Sequence, residues 1–124
     1  DMYAIELAKK MLAVMRRTPN TKHWLPTRMH KFPKFERVLT EMGYLPNVMV
    51  RRSSDSVIGE FNFTTHGSVI ISDGAVPVGA TLCEAYSRGG KCGGCRACYD
   101  KSVGVIAYPA HGVKMAKVIR LMRA

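Results

Sequence analysis

Apolar residues recur every three or four positions in three stretches of the chain, which is the spacing of one face of an α-helix. Charged side chains take most of the remaining positions, so each stretch would bury one side and expose the other. The pattern therefore predicts three amphipathic helices. They cover residues 2–17, 35–42 (ended by Gly43) and 115–122.

Short apolar runs bounded by Pro, Gly or polar residues predict strands between these helices. The predicted strands cover residues 22–25, 47–51, 68–71 and 103–108, and a further strand is indicated over 57–63. Helices and strands alternate in the first half of the chain, an order typical of parallel βαβ units. We expect one α/β domain over residues 1–124, with a small, mostly parallel sheet, flanking helices and a cysteine loop at 81–99.

The chain has four cysteines, and all of them lie in this loop within a stretch of 16 residues. Cys92, Cys95 and Cys98 follow a C-x-x-C-x-x-C spacing, and Cys83 precedes them. Glycine pairs at Gly89–Gly90, before the run, and Gly93–Gly94, inside it, permit the tight turns that bring such thiols together. The pattern predicts a four-thiolate metal site, in which no coordination position stays open for metal-activated water.

The spacing favours a [4Fe–4S] cluster, because C-x-x-C-x-x-C is the run that holds one cluster in ferredoxin-like proteins. Zinc is the alternative, although four-cysteine zinc sites usually pair two separated C-x-x-C steps. Disulfides are disfavoured, because no signal-like segment begins the chain and small disulfide scaffolds are richer in cysteine. His111, which follows a predicted strand, is a weaker candidate ligand.

The charge balance changes the picture of the surface. Lys and Arg number 19 against 9 Asp and Glu, a formal charge of +10. Such a domain is expected to bind nucleic acid or, failing that, an acidic host protein. No apolar run is long enough to span a bilayer. A reducing cytoplasm, that of the host cell if the protein is phage-encoded, is the expected location.

Polar residues follow three of the predicted strands, where ligands gather in open parallel sheets. These strand ends are Pro26–Arg28, Arg51–Ser54 and Ser72–Gly74. They could form an anion pocket, which keeps open a third hypothesis of an enzyme remnant acting on a phosphorylated substrate. No catalytic motif is present, so enzymatic activity is uncertain and disfavoured. The candidate anion or nucleic-acid contacts are Arg28, Arg51, Arg52, Arg96 and Lys101. The last two are basic residues near the cysteines.

Aromatic residues are interleaved with basic ones around the first strand end. Single-stranded nucleic acid uses such stacking rings beside cations. Trp24 lies in a predicted strand and Phe35 on the apolar face of a predicted helix, so both are expected in the core. Phe32 is the best candidate for an exposed ring.

Three segments resemble a bacteriophage protein family of the gene product eighty-eight type. They are WLPTR at Trp24–Arg28, LPNVMVRRS at Leu45–Ser53 and GKCGGCRAC at Gly90–Cys98. The resemblance implies a phage origin and a partial α/β-barrel, distantly similar to radical-SAM proteins. It also implies that the chain corresponds to the C-terminal half of longer members. The C-x-x-x-C-x-x-C triad of radical-SAM enzymes is absent, which argues against that chemistry.

Overall fold

The structure, a computed structural model, describes residues 1–62, 65–72 and 74–112, together with Lys117, Arg120 and Leu121. Two α-helices, α1 (Ile5–Arg17) and α2 (Glu36–Tyr44), lie in the first half of the chain. Short 3-10 helices cover Met29–Lys31, Pro33–Phe35, Ala85–Arg88 and Ala97–Tyr99. The strands are β1 (His23–Thr27), β2 (Val48–Ser53), β3 (Gly67–Ile71), β4 (Ala80–Leu82) and β5 (Val105–Pro109).

All five strands run parallel in the order β1-β2-β3-β5-β4. The α/β class and the parallel sheet are therefore confirmed. Strand β4 escaped the sequence pattern because it is only three residues long, two of them inside the loop expected at 81–99. The four positions that predict the third helix, Met115, Val118, Ile119 and Met122, lie outside the described residues.

The strand expected over 57–63 is wrong for residues 57–62, which form bends and irregular structure. Serine side chains hold this loop instead. Ser54 Oγ donates to the carbonyl of Glu60 at 2.7 Å, and Ser56 Oγ accepts from the amides of Ile58 and Glu60, each at 3.2 Å. Local hydroxyl–backbone bonds of this kind compete with strand pairing.

The main core lies between the two helices and one face of the sheet. Leu25, Val48 and Val50 point from β1 and β2 toward the helices. Phe35 is buried there as expected. Gly43 lies inside the last turn of α2 and does not end it. No helix among the described residues is long and apolar enough to cross a bilayer.

The opposite face of the sheet carries residues 83–104, called the cysteine segment below. Because side chains alternate along a strand, Trp24, Arg51 and Tyr108 point away from the helices. Trp24 packs edge-on against Tyr99, with ring centroids 6.3 Å apart, and Tyr108 meets Cys98. The sheet therefore separates a helical layer from the cysteine segment.

Asn47 joins α1 to the beginning of β2. Its side-chain amide lies within hydrogen-bonding distance of the carbonyls of Met15, Thr18 and Thr21, at 3.1, 3.0 and 3.0 Å. The last carbonyls of a helix lack partners within the helix. Asn47 therefore satisfies the end of α1 and fixes the register of the following turn.

Replacing Asn47 by Asp keeps the shape of the side chain but turns its donor into an acceptor. We expect a loss of about 2 kcal/mol in the free energy of unfolding, because the amide donors are lost and a carboxylate oxygen is placed against three carbonyl oxygens. Urea denaturation monitored by circular dichroism measures this change. The control is Asn62→Asp in an exposed loop, and equal stability of the two variants would contradict the assigned role.

Candidate metal centre and adjoining pocket

All four cysteines line one pocket of about 500 Å³ on the sheet face opposite the helices. Cys83 and Cys98 are half-buried, whereas Cys92 and Cys95 are exposed. None of the four forms a disulfide in this structure. The fold thus brings residues up to 15 positions apart to the same concave surface.

The thiols share a pocket but do not converge on a single point. Among the described residues, no group of three or more His, Cys, Asp or Glu side chains is close enough to hold a metal ion. The metal-binding role of the loop therefore stays a prediction. The donor set itself fits thiolate chemistry, because all four sulfurs are free and face one cavity.

Glycines shape the turns between the cysteines. Gly89 and Gly90 have φ of 68° and 78°, and Gly93 has φ of 59°. Side chains with a Cβ rarely adopt this left-handed conformation. The amide of Cys95 then donates to the carbonyl of Cys92 at 3.1 Å. The sequence prediction that these glycines serve tight turns is confirmed.

The environment of Cys95 favours its thiolate. A hydrogen bond from the amide of Ala97, with help from the nearby Arg88 and Arg96 guanidinium groups, lowers the pKa of this exposed thiol. Arg96 also donates to the carbonyls of Gly93 and Cys95, at 2.9 and 2.7 Å. Arg96 thus braces the turn and supplies positive charge beside a predicted thiolate ligand.

Cys98 lies in the opposite environment. Its burial raises the pKa of the thiol, although a hydrogen bond with Tyr108 and the charge of Arg51 partly offset this effect. Cys98 Sγ and Tyr108 Oη are 3.0 Å apart. Burial also raises the pKa of Tyr108, so the phenol stays protonated and can donate to the sulfur. Sequence reasoning missed Tyr108, whose position at the end of β5 was the available signal.

Arg51 is the least exposed charged residue described, with 0% of its surface accessible. Its Nε donates to the carbonyl of Cys98 at 3.0 Å. Nη1 donates to Gly104 at 2.8 Å and to Gly67 at 3.5 Å, and Nη2 donates to Ala97 at 2.9 Å and to Asp100 at 3.1 Å. Burial lowers its pKa, but a guanidinium stays charged at any ordinary pH. Arg51 therefore anchors the cysteine segment to the sheet.

This placement corrects the expectation that Arg51 contacts an anion, because its donors face backbone carbonyls and no surface is left for a ligand. Lys101 has a similar role, since its Nζ donates to the carbonyls of Gly43 and Leu45 at the end of α2, at 3.3 and 3.1 Å. Arg52 points to the other face of the sheet, where Nη1 donates to Thr65 Oγ1 at 3.3 Å. The structure does not bring the five predicted basic residues together.

Arg28 does reach a pocket at the carboxyl ends of β1 and β2. This pocket, called the strand-end pocket below, has a volume of about 530 Å³ and is also lined by Thr27, Ser53, Ser54 and Ser68. Two of the three predicted strand ends thus meet, while Asp73 in the third lies outside the described residues. Asp1 contributes a carboxylate, which accepts from Thr27 Oγ1 at 2.8 Å and from the amide of Arg28 at 2.9 Å.

Two expectations about aromatic side chains have different outcomes. Phe32 is exposed, as expected. Trp24 was expected in the core, and this is wrong because the helices cover the other face of β1. It lines both pockets instead. His111 lines the cysteine pocket and stacks on Tyr86, with ring centroids 6.5 Å apart.

Comparison with protein families identifies the chain. The family model of gene product 88 matches residues 1–73, which is more than half of the chain. The chain belongs to the gene product 88 family, a phage gene-product family. No curated protein and no solved structure matches it significantly. Neither a radical-SAM likeness nor a position in the C-terminal half of longer proteins receives support.

The family match covers both helices and strands β1, β2 and β3 but ends before the first cysteine. Two of the three resembling segments, Trp24–Arg28 and Leu45–Ser53, fall within it. The third, Gly90–Cys98, does not. Arg51 lies within the matched region, although four of the five carbonyls that it binds lie outside.

Replacing Arg51 by Met should release the cysteine segment. We expect a loss of about 3 kcal/mol or more in the free energy of unfolding, because all the hydrogen bonds of the guanidinium to the cysteine segment are lost at once. Limited proteolysis should also cut between residues 83 and 104 faster than in the parent protein. Arg52→Met is the matched control, since its side chain lies on the other face, and equal effects of the two changes would refute the anchoring role.

Proposed function

We propose that this gene product 88 family protein binds a [4Fe–4S] cluster through Cys83, Cys92, Cys95 and Cys98 and contacts nucleic acid through its basic surface. The observation that carries the first part is the shared pocket of all four thiols. The proposed site of action is the cytoplasm of the host cell, where thiolates stay reduced. The cluster would supply a structural or redox centre, since four thiolates leave its iron atoms fully ligated.

The surroundings of the thiols support a negatively charged group. Arg88 and Arg96 line the pocket, and the anchored guanidinium of Arg51 lies behind Cys98. Tyr108 and the amide of Ala97 direct donors at two of the sulfurs. Charge and hydrogen bonds to ligand sulfurs stabilise a thiolate-bound cluster and tune its potential.

The spread of the thiols, which do not converge on one point, favours a polyatomic cluster over one zinc ion. Thiolates on a single zinc lie about 2.3 Å from it, so the four sulfurs must close around one point. A cuboidal cluster binds each thiolate to a different iron and accepts a wider spread. Zinc nevertheless remains the alternative that the same four ligands could hold.

Metal analysis of protein purified without oxygen tests the proposal. We expect about four irons and four sulfides per chain, with a broad visible absorption band. Cys95→Ser should lose most of the iron, because it removes the exposed central thiolate of the run. Ser102→Ala, a change within the same segment that spares every cysteine, should keep the parent iron content.

Two other results would overturn the assignment. One zinc per chain without colour would replace the cluster by a zinc site on the same residues. A Cys95→Ser protein that keeps full metal content would show that this cysteine is not a ligand, whichever metal is present.

The nucleic-acid part of the proposal rests on the net charge of +10 and on two exposed arginines beside the pockets, Arg28 and Arg96. We expect affinity for single-stranded DNA to fall by at least about tenfold between about 50 and 200 mM salt, because bound phosphates displace counterions. Fluorescence anisotropy of a labelled strand measures it. Binding that is absent at low salt, or that does not respond to salt, would contradict a polyanion partner.

A further inference from the structure

We propose that a single-stranded nucleic acid binds across the two pockets, with one base stacked on Trp24 and its phosphate on Arg28. The inference deepens the proposed nucleic-acid function and rests on it. It assigns that function to one face of the molecule, the face that carries the cysteine segment. The two helices on the other face have no part in it.

The two pockets share a wall. Trp24 and Tyr108 line both the cysteine pocket and the strand-end pocket. These rings contact each other, with centroids 6.5 Å apart and planes inclined by 35°. The pockets are therefore neighbouring parts of one concave surface, and an aromatic pair lies where they meet.

Trp24 retains 37% exposure although it lies within a strand of the sheet. Tyr99 meets its edge at 61° and shows the same exposed fraction. Large apolar rings that stay accessible in a concave site are suited to a flat, partly apolar ligand. A nucleobase is such a ligand, and stacking on aromatic rings accepts any base.

Cationic groups border both sides of this aromatic pair. Arg28 lines the strand-end pocket with 48% of its side chain exposed. Its ion pair with Asp55 is long, at 3.8 Å, whereas Lys31 binds the same carboxylate at 2.9 Å. The guanidinium can therefore reorient toward a phosphate. Arg96 borders the cysteine pocket at the other end.

Among the described residues, the two carboxylates that line these pockets already have hydrogen-bond or ion-pair partners. Asp1 accepts from the hydroxyl of Thr27 and from the amide of Arg28. Glu84 is paired with Arg88 at 3.0 Å. Proteins that bind single-stranded nucleic acid without sequence preference use this arrangement, with basic side chains at both ends and aromatic rings between them. The charge pattern and the rings together select a nucleic acid strand as the occupant.

The experiment measures binding of a labelled thymidine strand, about twelve nucleotides long, to anaerobically purified protein by fluorescence anisotropy. Trp24→Ala should weaken binding about tenfold, while Trp24→Phe, which keeps a ring, should retain most of the affinity. Arg28→Gln should weaken binding and reduce the salt slope by about one. Iron content is measured for each variant, to show that the cysteine pocket is intact.

Two matched controls lie on the helical face. Tyr44→Ala removes a ring that is 82% exposed on α2, and Arg37→Gln removes a charge from a side chain that is 93% exposed. Each should change affinity by less than about twofold. Equal loss from Arg28→Gln and Arg37→Gln would show that only net charge matters and would overturn the site.

Photo-crosslinking locates the strand without relying on stability. A strand containing iodouracil should form its adduct at Trp24, Tyr99 or Tyr108, as mapped by mass spectrometry. An adduct confined to α1 or α2, with the parent protein still binding, would overturn this site and leave nucleic-acid binding standing. No binding by the parent protein would instead refute the nucleic-acid function itself, and the iron measurement would stand apart from both.

Discussion

The hydrogen bonds of one buried guanidinium determine how the two halves of this molecule fit together. Arg51 lies in the second strand, yet its donors face carbonyls 46 to 53 residues later in the chain. A buried charge is costly unless every donor is paired. The loop backbone satisfies it, and in return the guanidinium ties four carbonyls of the cysteine segment to the sheet. The position of the cysteines follows from this exchange.

The sheet divides structural and chemical roles between its faces. On one face α1 and α2 form a conventional apolar core with β1 and β2. On the other face, the cysteine segment has little regular structure and places thiols, phenols and basic side chains over Trp24 and Tyr108. Such a segment has few apolar contacts of its own and depends on anchors such as Arg51 and Lys101. The same lack of regular structure allows its turns to direct thiols into one pocket.

The proposed cluster and the proposed nucleic-acid site share residues. Tyr108 meets Cys98 on one side and contacts Trp24 on the other. A change in the charge of the cluster would therefore act on a side chain that borders the proposed nucleic-acid site. This proximity gives a physical path by which an oxidation state could alter affinity, through one hydrogen bond and one ring contact.

The sequence alone determined the features that depend on neighbouring residues. Helical spacing predicted α1 and α2, short apolar runs predicted most strands, and the C-x-x-C-x-x-C spacing located the cysteine turns. Burial of particular side chains was decided only by the tertiary structure. Arg51 and Arg52 are adjacent and identical, but strand alternation directs them to opposite faces, and only the distant cysteine segment buries the first. Trp24 was expected in the core because it lies in a strand, but the helices cover the other side of β1. Local patterns encode local geometry, whereas exposure depends on which remote segment covers each face.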